Sequence, residues 1–281
     1  MTTNNKSLVS IIIPAKMSAM LLEDCLKSIQ EQTYKNIETI IVDSDSGDGT
    51  KELAKKYKCT LYNYFPKVKK GLFDAPHKRN YGVKKAKGEY IYYVDADMQL
   101  TPNVVREAVE KMATYDAIII PEDSFGIGIW ARAKNLERQC YWGDDTIEAP
   151  RFVKKSVWTK LGGLDEILGG GGDDWDLYQK LLENGYKVSR IKSLTMHNEG
   201  DLKLSKLIKK RFMYGRDSLR YITKRPATAS LSYFPIRKAY IKNWRLFAKR
   251  PGDTCAFIIM RTAEYTGAFF GILYSLLIKN D

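Results

Sequence analysis

Residues 90–97 read Tyr-Ile-Tyr-Tyr-Val-Asp-Ala-Asp. A continuous apolar and aromatic run of this length is a buried strand, and it stops at two acids one residue apart. In an open α/β sheet, ligands gather at the carboxyl ends of strands. Asp95 and Asp97, spaced by Ala96, can turn toward one hard cation of the Mg²⁺ or Mn²⁺ kind. They can equally be solvated acids ahead of the helix that Thr101-Pro102 opens, and the rest of the chain must decide.

Other strands frame this one. Leu8 to Ile13 is an apolar run stopped by Pro14, with Leu21, Leu22, Cys25, Leu26 and Ile29 following at helical spacing. Ile37 to Val42 is a second strand, running into the polar loop from Asp43 to Thr50. Thr50 is the expected N-cap of the next helix. Cys59 to Tyr64 is a third strand. A helix is expected over 77–87, stopped by Gly88, with a further helix over 102–112 and a strand over 117–120. Strands alternating with helices imply βαβ units and a mostly parallel sheet. Asp43 and Asp95 then face the same rim. Beyond residue 125 the expected elements are a helix over 127–141, a short strand at Phe152-Val153 and a helix over 154–161. The glycine run 169–172 leads into a helix opened by Asp173-Asp174-Trp175-Asp176, followed by a strand over 187–191.

Charge divides the 281 residues. Between 202 and 250 there are fifteen Lys or Arg against one acid, Asp217, a net +14, so the rest of the chain sums to about −1 against the total of +13. A basic block favours anionic partners: nucleic acid, anionic lipid or phosphates. Cys25, Cys59, Cys140 and Cys255 are too scattered for a zinc site or a disulfide framework, which points to a reducing compartment. The first six residues do not read as a signal peptide.

Val9 to Pro14, the segment 26–38, the Asp43–Thr50 loop, Lys78-Arg79-Asn80-Tyr81-Gly82, Asp95-Ala96-Asp97, Leu161 to Glu166 and Gly172 to Leu177 occur in the order found in family 2 glycosyltransferases. Over residues 7–200 the chain resembles this inverting, nucleotide-sugar-dependent family. The resemblance implies a GT-A fold: Rossmann-like α/β, a mostly parallel central sheet flanked by helices, here with a basic helical C-terminal extension. The implied division is a catalytic domain over 1–200 and a membrane-associated region over 201–281.

It also implies roles. Pro14, Ala15 and Asp43 line the base and ribose pocket of a UDP- or GDP-linked donor, with Asp45 in the same loop. Arg79 meets the base or a phosphate, and Asp95 lies near ribose and metal. Asp97 ligates Mn²⁺ or Mg²⁺, with His197 as a further ligand. Asp174 is the base that takes the acceptor proton, and Asp173 stands where the family usually has glutamate. The first loop departs from the family pattern in having Ala15-Lys16-Met17, so Lys16 is a candidate phosphate contact. Trp158 and Trp175 are candidates either for stacking on an acceptor sugar or for packing, and His77 is expected on the surface.

Residues 202–224 form a basic amphipathic helix ended by Pro226, with Leu204, Leu207, Ile208 and Phe212 near one face. Cations alternate with aromatics at 233–247. Residues 255–278 are apolar but carry Arg261 and Glu264, and the uninterrupted stretch 265–278 is short of the roughly 20 residues needed to span a bilayer. The expectation is interfacial helices on an anionic, cytoplasmic membrane face and a lipid-linked or glycan acceptor. The alternative is a tail packed on the body, with Arg261 and Glu264 paired. Three rival functions stand beside this one. A polyprenyl- or dolichyl-phosphate sugar synthase needs no general base, which Asp173-Asp174 argues against. A nucleic-acid-binding protein leaves the ordered acids unexplained. A nucleotidyltransferase would need a phosphate-cradling glycine loop, and none is seen at 14–20.

Overall fold

The computed structural model describes residues 7–68, 73–169 and 172–278. The N-terminal segment 1–6, Gly71 and the middle of the 169–172 glycine run lie outside the described residues. In chain order the first elements are β1 (Val9–Ala15), α1 (Ala19–Gln30), β2 (Ile37–Asp43), α2 (Thr50–Lys56), β3 (Thr60–Asn63), α3 (Ala75–Lys85) and β4 (Tyr90–Tyr93). Then come β5 (Met98–Leu100), α4 (Val104–Lys111), β6 (Ala117–Ile119), β7 (Glu122–Ile127), α5 (Gly128–Tyr141), β8 (Phe152–Lys154) and α6 (Lys155–Lys160). The last are α7 (Gly172–Glu183), β9 (Val188–Arg190), β10 (Thr195–Asp201), α8 (Leu204–Lys224), α9 (Pro226–Tyr233), α10 (Lys238–Lys242), α11 (Trp244–Lys249) and α12 (Pro251–Ile278).

Seven strands form one sheet in the order β3-β2-β1-β4-β8-β6-β9. Its pairings are parallel except those of β8, which runs against both β4 and β6. The period of two explains why β1 is apolar on both faces apart from Ser10, whose buried hydroxyl donates to Glu38. Ile11 and Ile13 join the core under α1 and α4, while Ile12 joins Val83, Leu177 and Leu181 on the other face. Tyr92 and Tyr93 divide the same way. Helices on both faces leave β1 no solvated side, and Ile11, Ile12 and Ile13 are all fully buried. Burial of each contributes about 1.5–3 kcal/mol over exposure.

A second sheet, β5-β10-β7, was not legible in the sequence. It stands beyond the end of β4 and carries His197 on β10, paired in register with Met98 and Ser124. Two smaller expectations shift. Gly49 in the left-handed conformation, not Thr50, is the N-cap of α2, and Thr50 is the first helical residue. Helix α3 ends at Lys85, three residues before Gly88.

The C-terminal region packs on the body. Leu207 of α8 and Ala256, Phe257 and Met260 of α12 share a core with Ala133 and Leu136 of α5. Of the apolar residues grouped near one face of α8, Leu207 is buried and Ile208 is exposed; the helix also turns Gly215, Ser218 and Tyr221 inward. Pro226 opens α9 after α8 has ended at Lys224. Residues 255–278 belong to one 28-residue helix in which Glu264 and Arg261 are buried and paired at 2.5 Å. Among the described residues no helix is long and apolar enough to cross a membrane.

Glycines set how closely α8 and α12 approach. A Cβ at Gly215 would come within 2.2 Å of the Ala268 carbonyl oxygen, and one at Gly271 within 2.1 Å of the Phe212 carbonyl oxygen. These helices meet backbone to backbone.

Candidate active site

Parallel pairing of β1 with β2 and β4 brings Asp43 and Asp95 to one rim, as expected. Asp43 is buried and stands level with Ala15. Its carboxylate closes its own turn, accepting from the Ser46 amide at 2.8 Å and the Ser46 hydroxyl at 2.5 Å. A carboxylate has about four lone-pair sites, so acceptor capacity remains. Asp45 is exposed with φ +54°. Lys16 is exposed as well. The two loops are tied together: the Met17 amide donates to Ser46 Oγ and the Ala19 amide to Asp48. Beneath them Lys78, only 1% exposed, donates from Nζ to the Ala15 carbonyl at 2.7 Å and pairs with Asp74 at 2.9 Å.

At the end of β4 the two aspartates part company. Asp95 is clamped by two guanidiniums, with Arg79 Nη2 2.6 Å from Oδ1 and Arg151 Nη1 3.0 Å from Oδ2. Arg79 continues to Asp173 at 2.9 Å and Asp174 at 3.5 Å, and Arg151 to Asp174 at 3.3 Å and Glu122 at 3.4 Å. Both guanidiniums lie over the ring of Tyr93. Asp97 instead pairs with His197, Nε2 standing 3.1 Å from Oδ2. The other oxygen, Asp97 Oδ1, is buried with no hydrogen-bond partner.

The charges follow from these contacts. Burial works against an ionised Asp95, but Arg79 and then Arg151 outweigh it and hold the carboxyl well below the usual range. Burial likewise opposes a charged His197, and the bond to Asp97 overcomes it, lifting the ring above its ordinary value. Asp97 is lowered, its bond to His197 prevailing over burial. Asp173 goes the other way: burial first, then the charge of Asp174, push it up to about 7.

The family segments also build the support. Asn80 grips Leu164 through both backbone groups, at 2.9 and 3.0 Å. Gly163, at φ +71°, leaves the room: a Cβ there would meet Asn80 Oδ1 at 2.5 Å. His77, expected on the surface, is half-buried and pairs with Glu166 at 2.8 Å. Trp158 is core, set edge-on against Tyr93, whereas Trp175 donates to the Ile147 carbonyl and borders the cavity.

Arg79, Asp95, Asp97, Asp173, Asp174 and His197 line one cavity of about 740 Å³. Ligand sites span roughly 300–1,000 Å³. Pro14, Ala15, Asp43 and Asp45 stand at the neighbouring strand ends and are not among its lining residues. Arg151 and Glu122 were missed in the sequence. Nothing in the spacing of Pro150-Arg151-Phe152 distinguishes Arg151; the antiparallel turn of β8 beside β4 gives it its place.

A divalent cation can be tested against this donor set. Among the described residues no cluster of three or more His, Cys, Asp or Glu is arranged to hold a metal ion unaided. Asp97 and His197 offer two adjacent ligands, one with an unused buried oxygen. That fits a cation whose remaining positions are filled by substrate phosphates and water.

An acid-tipped parallel sheet, an antiparallel insertion beside it and a cation-compatible Asp–His pair define a GT-A-type α/β protein. The chain belongs to glycosyl transferase family 2, whose family model matches residues 10–160. It is 29% identical over 113 residues to the glycosyltransferase GlyG of Streptococcus pneumoniae, covering 40% of this chain and 38% of that protein. It is 36% identical over 115 residues to an uncharacterized glycosyltransferase of Rickettsia typhi, covering 40% of this chain and 35% of the relative. The chain thus spans well under half the length of these curated relatives. In fold it is similar to the mannosyltransferase PcManGT from Pyrobaculum calidifontis, solved with GDP-Man and Mn²⁺. There the TM-score is 0.65 at 17% identity, over 97% of this chain and 88% of that one. It is also similar to S. aureus TarS 1-349 in complex with UDP-GlcNAc, with TM-score 0.56 at 16% identity, over 92% and 91% of the two chains.

Proposed function

We propose that this protein transfers a sugar, with inversion, from a UDP- or GDP-linked donor to a hydroxyl of a lipid-linked or glycan acceptor. The observation that carries the reading is Arg79, which joins the strand-end acid Asp95 to Asp173 and Asp174 on the first turn of α7, all on one cavity. Pro14, Ala15, Asp43 and Asp45 receive base and ribose. Asp95 orients the Arg79 and Arg151 guanidiniums, whose planar forks suit a diphosphate. When bound through Asp97 and His197, Mn²⁺ or Mg²⁺ supplies charge neutralisation for the departing nucleoside diphosphate. Asp174 accepts the proton of the acceptor hydroxyl. The acceptor oxygen bonds to the anomeric carbon as the bond to the diphosphate oxygen breaks, and the nucleotide leaves with that electron pair. Asp173 beside Asp174, pushed up to about 7 by burial and then by the charge of that neighbour, shares the Arg79 contact.

In this reading residues 1–200 bind the donor and residues 201–281 the acceptor side. Contact with an anionic membrane surface on the cytoplasmic face is supported by Ile258, Ile259, Phe270 and Leu277, exposed along α12, and by exposed Trp244. The basic block is partly spent internally: Arg211 pairs with Glu264, Arg225 with Asp176, and Arg250 with Asp253. That argues against a free cationic stripe for nucleic acid.

The test is a donor screen with Mn²⁺ or Mg²⁺ and membrane lipid extract, reading the anomeric configuration of the product. Inverted product from wild type, abolished in Asp97→Asn and Asp174→Asn, supports the reading. Retained configuration, or full transfer by both variants, refutes it.

A further inference from the structure

The cavity does not end at the acids. It continues between α8 and α12, past Tyr214, Ser218, Tyr265, Phe269 and Ile272, to a second set of buried charges. Lys134 pairs with Glu137 at 2.6 Å and Glu264 at 3.4 Å. Arg211 pairs with Glu264 at 3.1 Å and Arg261 with Glu137 at 3.0 Å. Both glutamates stay ionised: burial opposes this, but Arg261 and Lys134 overcome it at Glu137, and Arg211 and Lys134 at Glu264, which lies at about 2.

Arg237 stands beside this network and is outside its pairing. Its guanidinium lies 5.1 Å over the Tyr141 ring and, among the described residues, donates only to the Ser232 carbonyl. Nε and Nη1 are buried with no hydrogen-bond partner, and so is Nε of Arg261. Lys134, Arg211, Arg237 and Arg261 therefore face two glutamates, an excess of two positive charges lining a cavity. Buried, unpaired guanidinium donors are costly unless a ligand satisfies them. A phosphate oxyanion matches their fork geometry and the excess charge. The apolar wall of Ala268, Phe269 and Ile272 beside it suits the chain of an amphiphile.

We propose that Arg237, backed by Arg211 and Arg261, is a phosphate-binding site for the acceptor, which carries its phosphate next to an apolar chain. The inference rests on the transferase reading for the word acceptor; the phosphate site itself does not.

Titration calorimetry with the full chain tests it, using dodecyl phosphate below its micellar concentration, inorganic phosphate, and UDP or GDP with Mn²⁺. The expected result is dodecyl phosphate binding that Arg237→Gln weakens by at least about tenfold, as loss of a charge-assisted bond implies. Arg237→Lys should recover part of the loss, and exposed Lys238→Gln should bind as wild type does. Nucleotide affinity should be unchanged in all three. Unchanged dodecyl phosphate binding in Arg237→Gln overturns the proposal. Equal loss of nucleotide affinity assigns Arg237 to the donor and overturns it too, and inorganic phosphate binding as tightly as dodecyl phosphate removes the amphiphile. If no nucleotide binds the wild type while Arg237 still governs dodecyl phosphate, the phosphate site stands and the transferase reading falls.

Discussion

Arg79 reaches Asp173, 94 positions further along the chain, with Nη1 2.9 Å from Oδ2. The contact spans the sheet rim, from the helix after β3 to the first turn of α7. With Asp95 and Asp174 on the same guanidinium, one side chain balances three acids.

Arg79→Met should therefore cost more than a surface ion pair. Removing one partner of a buried cluster leaves uncompensated charge, with a penalty of about 3–5 kcal/mol. Urea unfolding should show the loss at pH 8 and a smaller one at pH 5, where Asp173 can take up a proton.

The raised Asp173 has a signature of its own. Its folded value of about 7 exceeds that of an unfolded aspartate. The folded state thus holds a proton the unfolded chain has released, and stability falls as pH rises from about 4 to about 7. Asp173→Asn lacks this dependence. Its melting temperature should gain on wild type across that window and run parallel above it, whatever constant offset the lost Arg79 contact brings. Parallel curves throughout would contradict the assignment.

Asp174→Asn removes the proposed base while keeping the size of the side chain. Turnover should fall by about 10²–10⁴, while nucleotide affinity, measured by calorimetry, stays close to wild type. A matching loss of nucleotide affinity would make Asp174 a donor-binding residue instead.

Asp97→Asn and His197→Ala should each weaken Mn²⁺ binding, in the presence of UDP or GDP, by at least about tenfold. A histidine ligates only when neutral, and the His197 value is raised. Wild-type affinity should accordingly fade on acidification at a higher pH than for an unperturbed histidine, a shift that His197→Ala abolishes.

Gly215→Ala introduces a methyl group where the Ala268 carbonyl stands 2.2 Å away. Overpacking of this kind costs about 1–3 kcal/mol. The exposed Gly252, with nothing near its Cβ position, is the control.

What the sequence disclosed follows from the physics of each part. Strands covered on both faces, such as β1 and β4, must be largely apolar, so they announce themselves, and the acids at the ends of β2 and β4 mark the rim. The second sheet carries no such signal. Strand β10 runs Thr-Met-His-Asn-Glu-Gly-Asp, half-buried along most of its length, and β5 has three residues. Strand β10 does not alternate and β5 is too short for its alternation to show as a period, so their pairing was invisible. Arg151 was missed because its role depends on β8 running antiparallel, which no local pattern encodes. Asp95 and Asp97 read in the sequence as a pair able to face one cation, and no local pattern showed that Arg79 and Arg151 would each engage an oxygen of Asp95. The cations of residues 202–250 read as a block favouring anionic partners, yet Lys224 and Arg225 are spent on Asp165 and Asp176, and Arg211 and Arg250 on Glu264 and Asp253 of α12.

The glycine contacts between α8 and α12 have one more consequence. A wall built from side chains can yield by changing rotamers within nanoseconds. Where carbonyl oxygens already sit against the neighbouring helix, that adjustment is unavailable. The seam at these glycines can open only by the sliding of whole helices, which belongs to microseconds or longer. Entry of a bulky molecule by this route is then paced by a rigid-body motion, and a cross-link joining α8 to α12 would slow admission while leaving the strand-end acids untouched.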